Sequence, residues 1–180
     1  MPISIPLTAP TLQTGRLILR GHTPADYGES AEMWGDPLVT RYIGGRPSTP
    51  EESWSRVLRY AGMWALLGYG YWVVRERDSG RFVGEVGLAD FHREVTPALD
   101  GAPEAGWVLA PWAHGRGFAT EALRAALSWG DAHLPAPRTV CLIAPENAAS
   151  LRVAEKCGYR ELARGTYKGE ETIICERPRA

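Results

Sequence analysis

The 180-residue chain has few cysteines, almost no net charge and no long hydrophobic run. Cys141, Cys157 and Cys175 are isolated and form no C-x-x-C motif. They predict small buried thiols in a reducing, cytoplasmic setting rather than metal or disulfide chemistry. The formal net charge of −1 gives no electrostatic footprint for a nucleic-acid partner. No apolar stretch approaches the roughly 20 residues that cross a bilayer, so no membrane partner is expected.

The common nucleotide and metal signatures are also missing. The chain has no G-x-x-x-x-G-K-[ST] sequence, and therefore lacks the lysine of a nucleoside triphosphate loop. It has no G-x-G-x-x-G after a strand, which argues against a dinucleotide fold. His92 and His114 fall in no H-E-x-x-H or Cys/His spacing, so no metal site is expected.

The composition that is present fits one globular domain. Hydrophobic residues make up 44% of the chain, which is ample for a single core. Residues 1–10 are apolar and proline-rich but lack the basic and long apolar regions of a signal peptide. We interpret residues 1–10 as a flexible arm and residues 11–180 as a single domain.

Periodicity and punctuation predict an alternating order of strands and helices. Thr23-Pro24 and Thr49-Pro50 each place an N-cap residue before a proline suited to the first helical position. Helices are predicted over 24–34, 50–67, 119–132 and from Pro145 or Asn147 to Gly158. Strands are predicted over 17–19, 71–74, 82–88, 106–109, 139–143, 159–162 and 171–175. Such alternation around one sheet predicts an α/β or α+β fold.

The segment 108–122 carries the strongest chemical signal. An apolar strand stops at Pro111, and a turn containing Gly115, Gly117 and Ala119 leads into a helix. The unpaired amides and the dipole of a helix start favour a phosphate or pyrophosphate. Small residues let such a ligand approach the backbone closely. An ordinary tight turn between strand and helix is the alternative.

The loop His114-Gly115-Arg116-Gly117-Phe118-Ala119 resembles the acyl-coenzyme A loop of the GNAT acetyltransferases, Gln/Arg-x-x-Gly-x-Gly/Ala. His114 departs from the usual Gln or Arg and removes one expected side-chain contact. Residues 147–159 resemble a second segment of the family. Residues 14–20 resemble the opening strand of the branch that includes the ribosomal-protein N-terminal acetyltransferases.

The resemblance implies a GNAT-like mixed central sheet of about seven strands, flanked by about four helices. The sheet would be splayed at the cofactor site, between the strand ending at Leu109 and the strand through Leu142. Backbone groups left unpaired there need a partner, which the pantetheine arm of coenzyme A would supply.

The resemblance also implies acetyl-coenzyme A as co-substrate, without a metal. The residues expected to bind it are Trp107, Val108, Leu109, His114, Gly115, Arg116, Gly117, Phe118, Ala119, Thr120, Asn147 and Ser150. For Asn147 the alternative is a helix N-cap. Arg152 and Lys156 either meet coenzyme phosphates or face water.

The expected chemistry is direct attack of a primary amine on the acetyl group in a ternary complex. The resemblance implies that the amide near Leu109 is the oxyanion donor, and an ordinary ladder hydrogen bond is its alternative. Many GNAT enzymes use a tyrosine at the position of Ala154. Ser150 lies one turn earlier on nearly the same face, where the N-terminal acetyltransferase branch has a serine near the coenzyme sulfur. The resemblance thus makes Ser150 the candidate donor to the leaving thiol, and capping of backbone amides is its alternative. Tyr159 is a further candidate, although a residue that starts a strand favours the core.

Two carboxylates are candidates for the general base. Glu104, which precedes the coenzyme strand, is favoured over Glu85. Glu85 stands in an apolar strand and needs a partner, which Arg41, Arg46 or His92 would supply. An amine deprotonated by solvent is the third possibility.

The acceptor is expected to be a peptide or protein N-terminus or a small amine, and a homodimer is possible. His114 and the missing tyrosine keep a second function open, a catalytically idle module that binds acyl-coenzyme A and regulates a partner. A nucleotide-binding α/β protein is a third interpretation.

Overall fold

The computed structural model describes residues 8–179. In this part of the chain nine strands form one sheet: β1 Leu12–Gln13, β2 Leu17–Arg20, β3 Tyr71–Glu76, β4 Phe82–Ala89, β5 Val95–Thr96, β6 Glu104–Leu109, β7 Arg138–Ile143, β8 Arg160–Tyr167 and β9 Glu170–Pro178. The α-helices are α1 Tyr27–Gly35, α2 Pro37–Thr40, α3 Pro50–Leu67, α4 Phe118–His133 and α5 Ala148–Lys156.

All seven predicted strands and all four predicted helices are present, and the mixed α/β fold is confirmed. The structure adds β1, β5 and α2, which have two, two and four residues. Elements this short contain too few residues to show a hydrophobic period. The predicted helix at Pro24 begins as a single 3-10 turn, Pro24–Asp26, before α1.

The predicted arm falls largely outside the described residues. Of its residues 8–10, Ala9 packs against the core, and the Pro10 carbonyl accepts a hydrogen bond of 2.8 Å from the Trp72 indole.

The start of α3 follows the predicted capping chemistry. The Thr49 hydroxyl accepts from the amide of Glu52, and the Glu52 carboxylate accepts from the amide of Thr49. The helix ends at Gly68, whose φ of 75° is the left-handed conformation that glycine adopts freely.

The strand order across the sheet is β1-β2-β3-β4-β6-β7-β9-β8-β5. Neighbouring strands are antiparallel except β6 and β7, which are parallel. Leu123 and Leu127 of α4 pack on one face of the sheet. Met33 and Trp34 of α1 pack with Val108 on the opposite face. The sheet therefore has a separate apolar layer on each side.

Three tryptophans from different elements form the centre of the larger layer. Trp64 of α3, Trp72 of β3 and Trp129 of α4 meet edge to face, with ring centroids 4.7, 5.2 and 5.4 Å apart. Edge-to-face pairs add favourable electrostatics to the burial of large apolar rings. This cluster joins α3 and α4 to the central strands.

Trp129→Ala is expected to lower the free energy of unfolding by about 3–5 kcal/mol, because it leaves a cavity between α3 and α4. Urea denaturation measures this change. Trp54→Ala is the matched control, since Trp54 is 38% exposed and its loss should cost far less. Equal losses for the two variants would contradict the central role of the cluster.

Candidate functional site

The parallel strands β6 and β7 separate almost as soon as they meet. Their ladder contains one pair, Glu104 with Val140, and the Val140 amide donates to the Pro103 carbonyl at 3.0 Å. By contrast β6 pairs with β4 along its whole length, and β7 does the same with β9. The predicted splay is therefore present and opens toward Leu109.

Backbone groups of β6 face this gap. The Ala110 amide donates to the Val83 carbonyl of the β4 side at 2.9 Å. Hydrogen bonding alternates along an antiparallel ladder, so Val108 and Gly106 also bond toward β4. The amides of Trp107 and Leu109 consequently point into the gap. They therefore make no ladder hydrogen bond to β4.

His114 holds the open end of β6. Its Nε2 donates to the Leu109 carbonyl at 2.8 Å. This bond occupies a carbonyl that no strand pairs, and it leaves the Leu109 amide free on the gap side. The residue that replaces the usual Gln or Arg thus contacts the backbone of its own chain.

The loop after β6 presents a row of free amides. Gly115 and Gly117 have φ of 73° and 78°, and Gly117 immediately precedes α4. The hydrogen bonds of α4 begin with the Glu121 amide, which donates to the Gly117 carbonyl at 3.1 Å. Within residues 8–179 the six amides from 115 to 120 make no well-formed hydrogen bond to the protein. Residues 114–117 are exposed, so an anion has direct access to these donors.

The turn between β1 and β2 holds this loop in place. Glu121, in the first turn of α4, accepts from the Thr14 hydroxyl at 2.6 Å and from the Arg16 amide at 2.9 Å. Arg16 also donates from Nε to Glu121 at 2.7 Å and from Nη1 to the Arg116 carbonyl at 3.0 Å. Burial would raise the pKa of Glu121, but the bonds from Thr14 and Arg16 outweigh it and lower that pKa.

Arg16 is a site residue that the sequence did not identify. Its side chain is 50% exposed, and its guanidinium lies 3.5 Å from the position of a β-carbon on Gly117. A positive charge therefore stands at the rim of the free amides. Arg16 lies in the segment 14–20, which resembles the family's opening strand, and this resemblance was the only sign of a role for it. No sequence pattern indicated that this segment contacts the loop after β6.

Asn147 and Ser150 lie at the start of α5, next to the open end of the gap. The Asn147 Oδ1 accepts from the Ser150 amide at 3.1 Å, so Asn147 is the N-cap that was its alternative interpretation. Its side-chain NH₂ group makes no hydrogen bond among the described residues. The half-buried Ser150 hydroxyl is likewise unpaired in this part of the chain and does not cap the helix.

The remaining predicted contacts occupy varied places around the loop. Phe118 is buried, with the Arg16 and Arg116 guanidinium groups 4.6 and 4.7 Å from its ring centre. Trp107, Ala119 and Thr120 are half-buried. Arg152 and Lys156 are exposed on α5, and both interpretations of them stay predictions.

Glu104 lies in an ion pair. Arg93 donates to both of its carboxylate oxygens, at 2.5 and 2.7 Å, and also to the Tyr167 hydroxyl at 2.7 Å. Burial would lower the pKa of Arg93, but Glu104 outweighs it and raises that pKa. This geometry argues against the favoured assignment of Glu104 as the general base.

Glu85 has different partners from those predicted. Its carboxylate is fully buried and contacts His22 Nε2 at 3.1 Å, the Ser30 hydroxyl at 2.8 Å and the Trp34 indole at 2.8 Å. The prediction of Arg41, Arg46 or His92 was wrong, because the packing of α1 and the β2–α1 connection supplies the donors. These bonds support a structural role for Glu85. Tyr159 is also a core residue, its hydroxyl bonded to Thr139 at 2.7 Å.

Two further findings concern residues 8–179 only. No helix there is long and apolar enough to cross a membrane. No group of three or more His, Cys, Asp or Glu side chains there is arranged to hold a metal ion. The cytoplasmic location and the homodimer stay predictions.

Comparison with known proteins identifies the family. The model of the acetyltransferase (GNAT) domain matches residues 16–160. The uncharacterized N-acetyltransferase YoaA of Bacillus subtilis (strain 168) is 28% identical over 156 residues, 84% of each chain. A solved putative GnaT-family acetyltransferase from Bordetella pertussis has a TM-score of 0.82 at 32% identity, covering 94% of this chain and 99% of that one.

A more distant structure shares the fold. Spermidine N-acetyltransferase from Vibrio cholerae, solved in complex with CoA and spermine, has a TM-score of 0.72 at 18% identity, covering 92% of this chain and 97% of that one. Together with the geometry of the gap and loop, the family match is decisive. The chain belongs to the GNAT acetyltransferase family and is an acetyltransferase.

Glu85→Gln is expected to lower the free energy of unfolding by about 1–3 kcal/mol at pH 7, because it mismatches a buried hydrogen-bond cluster. Burial would raise the pKa of Glu85, but the bonds from His22, Trp34 and Ser30 outweigh it and hold that pKa below its usual 4.5. Its contribution is therefore complete above pH 4.5 and disappears as pH falls through the lower folded-state pKa.

Urea denaturation between pH 7 and pH 3 checks this expectation, and the gap between wild type and Glu85→Gln should narrow in acid. Glu94→Gln is the control, since Glu94 is exposed and should give a curve parallel to wild type. A gap that stays constant with pH would contradict the argument.

Proposed function

We propose that this acetyltransferase moves the acetyl group of acetyl-coenzyme A to a primary amine, by direct attack in a ternary complex. The acceptor would be a peptide or protein N-terminus or a small amine. The observation that carries the proposal is the row of six free amides, 115–120, beside the open gap between β6 and β7. The solved spermidine N-acetyltransferase, which shares the fold, is described in complex with CoA and spermine.

The coenzyme's pyrophosphate would bind at the start of α4. The free amides and the dipole of a 16-residue helix favour an anion there. The guanidinium groups of Arg16 and Arg116 stand close by, paired with Glu121 and Glu76. The pantetheine arm would enter the gap from the loop and pair with the amide of Leu109, which lies at the loop end of β6. The free NH₂ group of Asn147 supplies a further donor on the β7 side.

Positioning would supply much of the rate. The amine nitrogen attacks the acetyl carbon, and the developing oxyanion accepts a hydrogen bond from the gap-facing amide next to that of Leu109 along β6, which belongs to Trp107. The carbon–sulfur bond then breaks, the leaving thiolate accepts a hydrogen bond from the Ser150 hydroxyl and takes its proton from solvent, and the new amide nitrogen loses its proton. Since Arg93 engages both oxygens of Glu104, we assign that last proton to solvent.

Gly115→Ala is expected to raise the KM for acetyl-coenzyme A at least tenfold, because the methyl group would stand where the pyrophosphate approaches the backbone. Gly80→Ala is a close control. Gly80 has φ of 69° against 73° for Gly115, and a β-carbon at either position meets nothing within 4 Å. Both variants should lose about 1–2 kcal/mol of stability through the same backbone strain. Equal KM values for the two would contradict the pyrophosphate site.

Ser150→Ala is expected to reduce kcat about tenfold to a hundredfold while leaving acetyl-coenzyme A binding unchanged, because only the leaving thiol loses its donor. Thiol release measures kcat, and calorimetry measures binding. The control is Ser128→Ala, an exposed serine on α4. An unchanged kcat would overturn the role of Ser150.

A screen of amines with acetyl-coenzyme A tests the activity itself, with peptides that begin with alanine or serine, spermidine and spermine as probes. Thiol release that requires one of these amines supports the proposal. Thermal protection by acetyl-coenzyme A without thiol release would favour the idle binding module. Protection by ATP and not by acetyl-coenzyme A would favour a nucleotide-binding protein.

A further inference from the structure

Tyr71 is a buried tyrosine that the proposed mechanism does not use. It starts β3 and is 4% exposed. Its ring stacks on that of Tyr60 with centroids 4.3 Å apart and planes 3° from parallel. Phe91 packs beside it at 6.2 Å. These contacts fix the direction in which the hydroxyl points.

Two glycines let this ring reach across the sheet. Tyr71 pairs with Gly87 of β4, and Gly87 pairs with Gly106 of β6. A β-carbon on Gly87 would clash with the backbone of Tyr71, and one on Gly106 would clash with the Tyr71 hydroxyl. The side chain therefore crosses β4 and places its hydroxyl against β6, two strands from its own origin.

The hydroxyl lies where the gap opens. Gly106 immediately precedes Trp107, whose amide faces the gap between β6 and β7. Side chains alternate along a strand, so Gly106 shares the face of Val108, which packs with Met33 and Trp34 of α1. This face is opposite α4, where the coenzyme phosphates would bind. An acetyl group brought through the gap would meet its acceptor on the side where the Tyr71 hydroxyl lies.

The hydroxyl is also unoccupied. Within residues 8–179 it makes no hydrogen bond, whereas the Tyr159 and Tyr167 hydroxyls bond to Thr139 and Arg93. Some side-chain polar atoms in this part of the chain, such as His22 Nδ1 and Arg56 Nη1, are unpaired and fully shielded from solvent. The Tyr71 hydroxyl does not belong to that group. The ring is thus buried while the oxygen still reaches accessible space.

We propose that the Tyr71 hydroxyl binds the acceptor, its oxygen accepting a hydrogen bond from an N–H of the attacking amine. This inference rests on the proposed function. The contact leaves the nitrogen lone pair directed at the acetyl carbon. Burial raises the pKa of Tyr71 well above 10, so the phenol stays protonated and orients the amine without acting as a base.

Tyr71→Phe tests this contact, because it keeps the ring stack and removes only the oxygen. The probe is whichever of the alanine peptide, the serine peptide or spermidine the wild type acetylates fastest. Tyr71→Phe is expected to raise the KM for that amine about fivefold to tenfold, as loss of one hydrogen bond implies, with the KM for acetyl-coenzyme A within about twofold of wild type. Tyr69→Phe is the matched control, since Tyr69 packs on the α4 side of the sheet.

A KM does not depend on the fraction of protein that is folded, so reduced stability of Tyr71→Phe cannot imitate this result. An unchanged amine KM in Tyr71→Phe, with active wild type, overturns the inference and leaves the proposed function intact. A rise in both KM values would also overturn it, because it would show a general distortion of the site. Absence of turnover by the wild type with all three probes overturns the proposed function and this inference together.

Discussion

The separation of β6 from β7 after a single ladder pair is the feature on which the rest of this structure depends. A buried amide or carbonyl without a partner costs about 1–3 kcal/mol, so a sheet does not open in its interior without compensation. Here the opening is held by the neighbours, because β4 pairs the whole of β6 and β9 pairs the whole of β7. His114 occupies the Leu109 carbonyl, and a ligand rich in amide groups is left to satisfy the amides that face the gap.

The three segments that resemble the family converge on that opening. The loop after β6 supplies free amides, and Asn147 and Ser150 stand at the start of α5 beside the other wall. The turn between β1 and β2 supplies Thr14 and Arg16, which bind Glu121 and the Arg116 carbonyl. Segments more than 100 residues apart in the chain thus fix one another, and the conformation of the loop depends on a contact outside it.

Local chemistry was enough to predict most of the architecture. Thr49-Pro50 and Gly68 bound α3 as expected, and the small residues of the loop indicated the turn that contains Gly115 and Gly117. The partners of the charged groups were beyond this kind of reasoning. Arg93 binds Glu104 across a loop, and His22 reaches Glu85 from 63 residues away in the chain. Such pairs are set by how elements pack, which periodicity and spacing do not encode.

In the site, too, local features could be predicted and long-range contacts could not. Free amides at a helix start are a local property, so the candidate anion site could be predicted from the sequence. The reach of Tyr71 over Gly87 and Gly106 depends on strand order and register, and the sequence alone offered no sign of it. Residues that act through side-chain direction across several strands are therefore the ones that required a structure.

NMR-detected amide hydrogen exchange with and without acetyl-coenzyme A tests the central claim most directly. The account predicts that the coenzyme slows exchange of the amides from 115 to 120 and of Trp107 and Leu109 at least tenfold, because it satisfies donors that the protein leaves free. Amides of the β8–β9 pair should not change. Unaltered exchange at the loop and in the gap, under conditions where calorimetry shows the coenzyme bound, would contradict it.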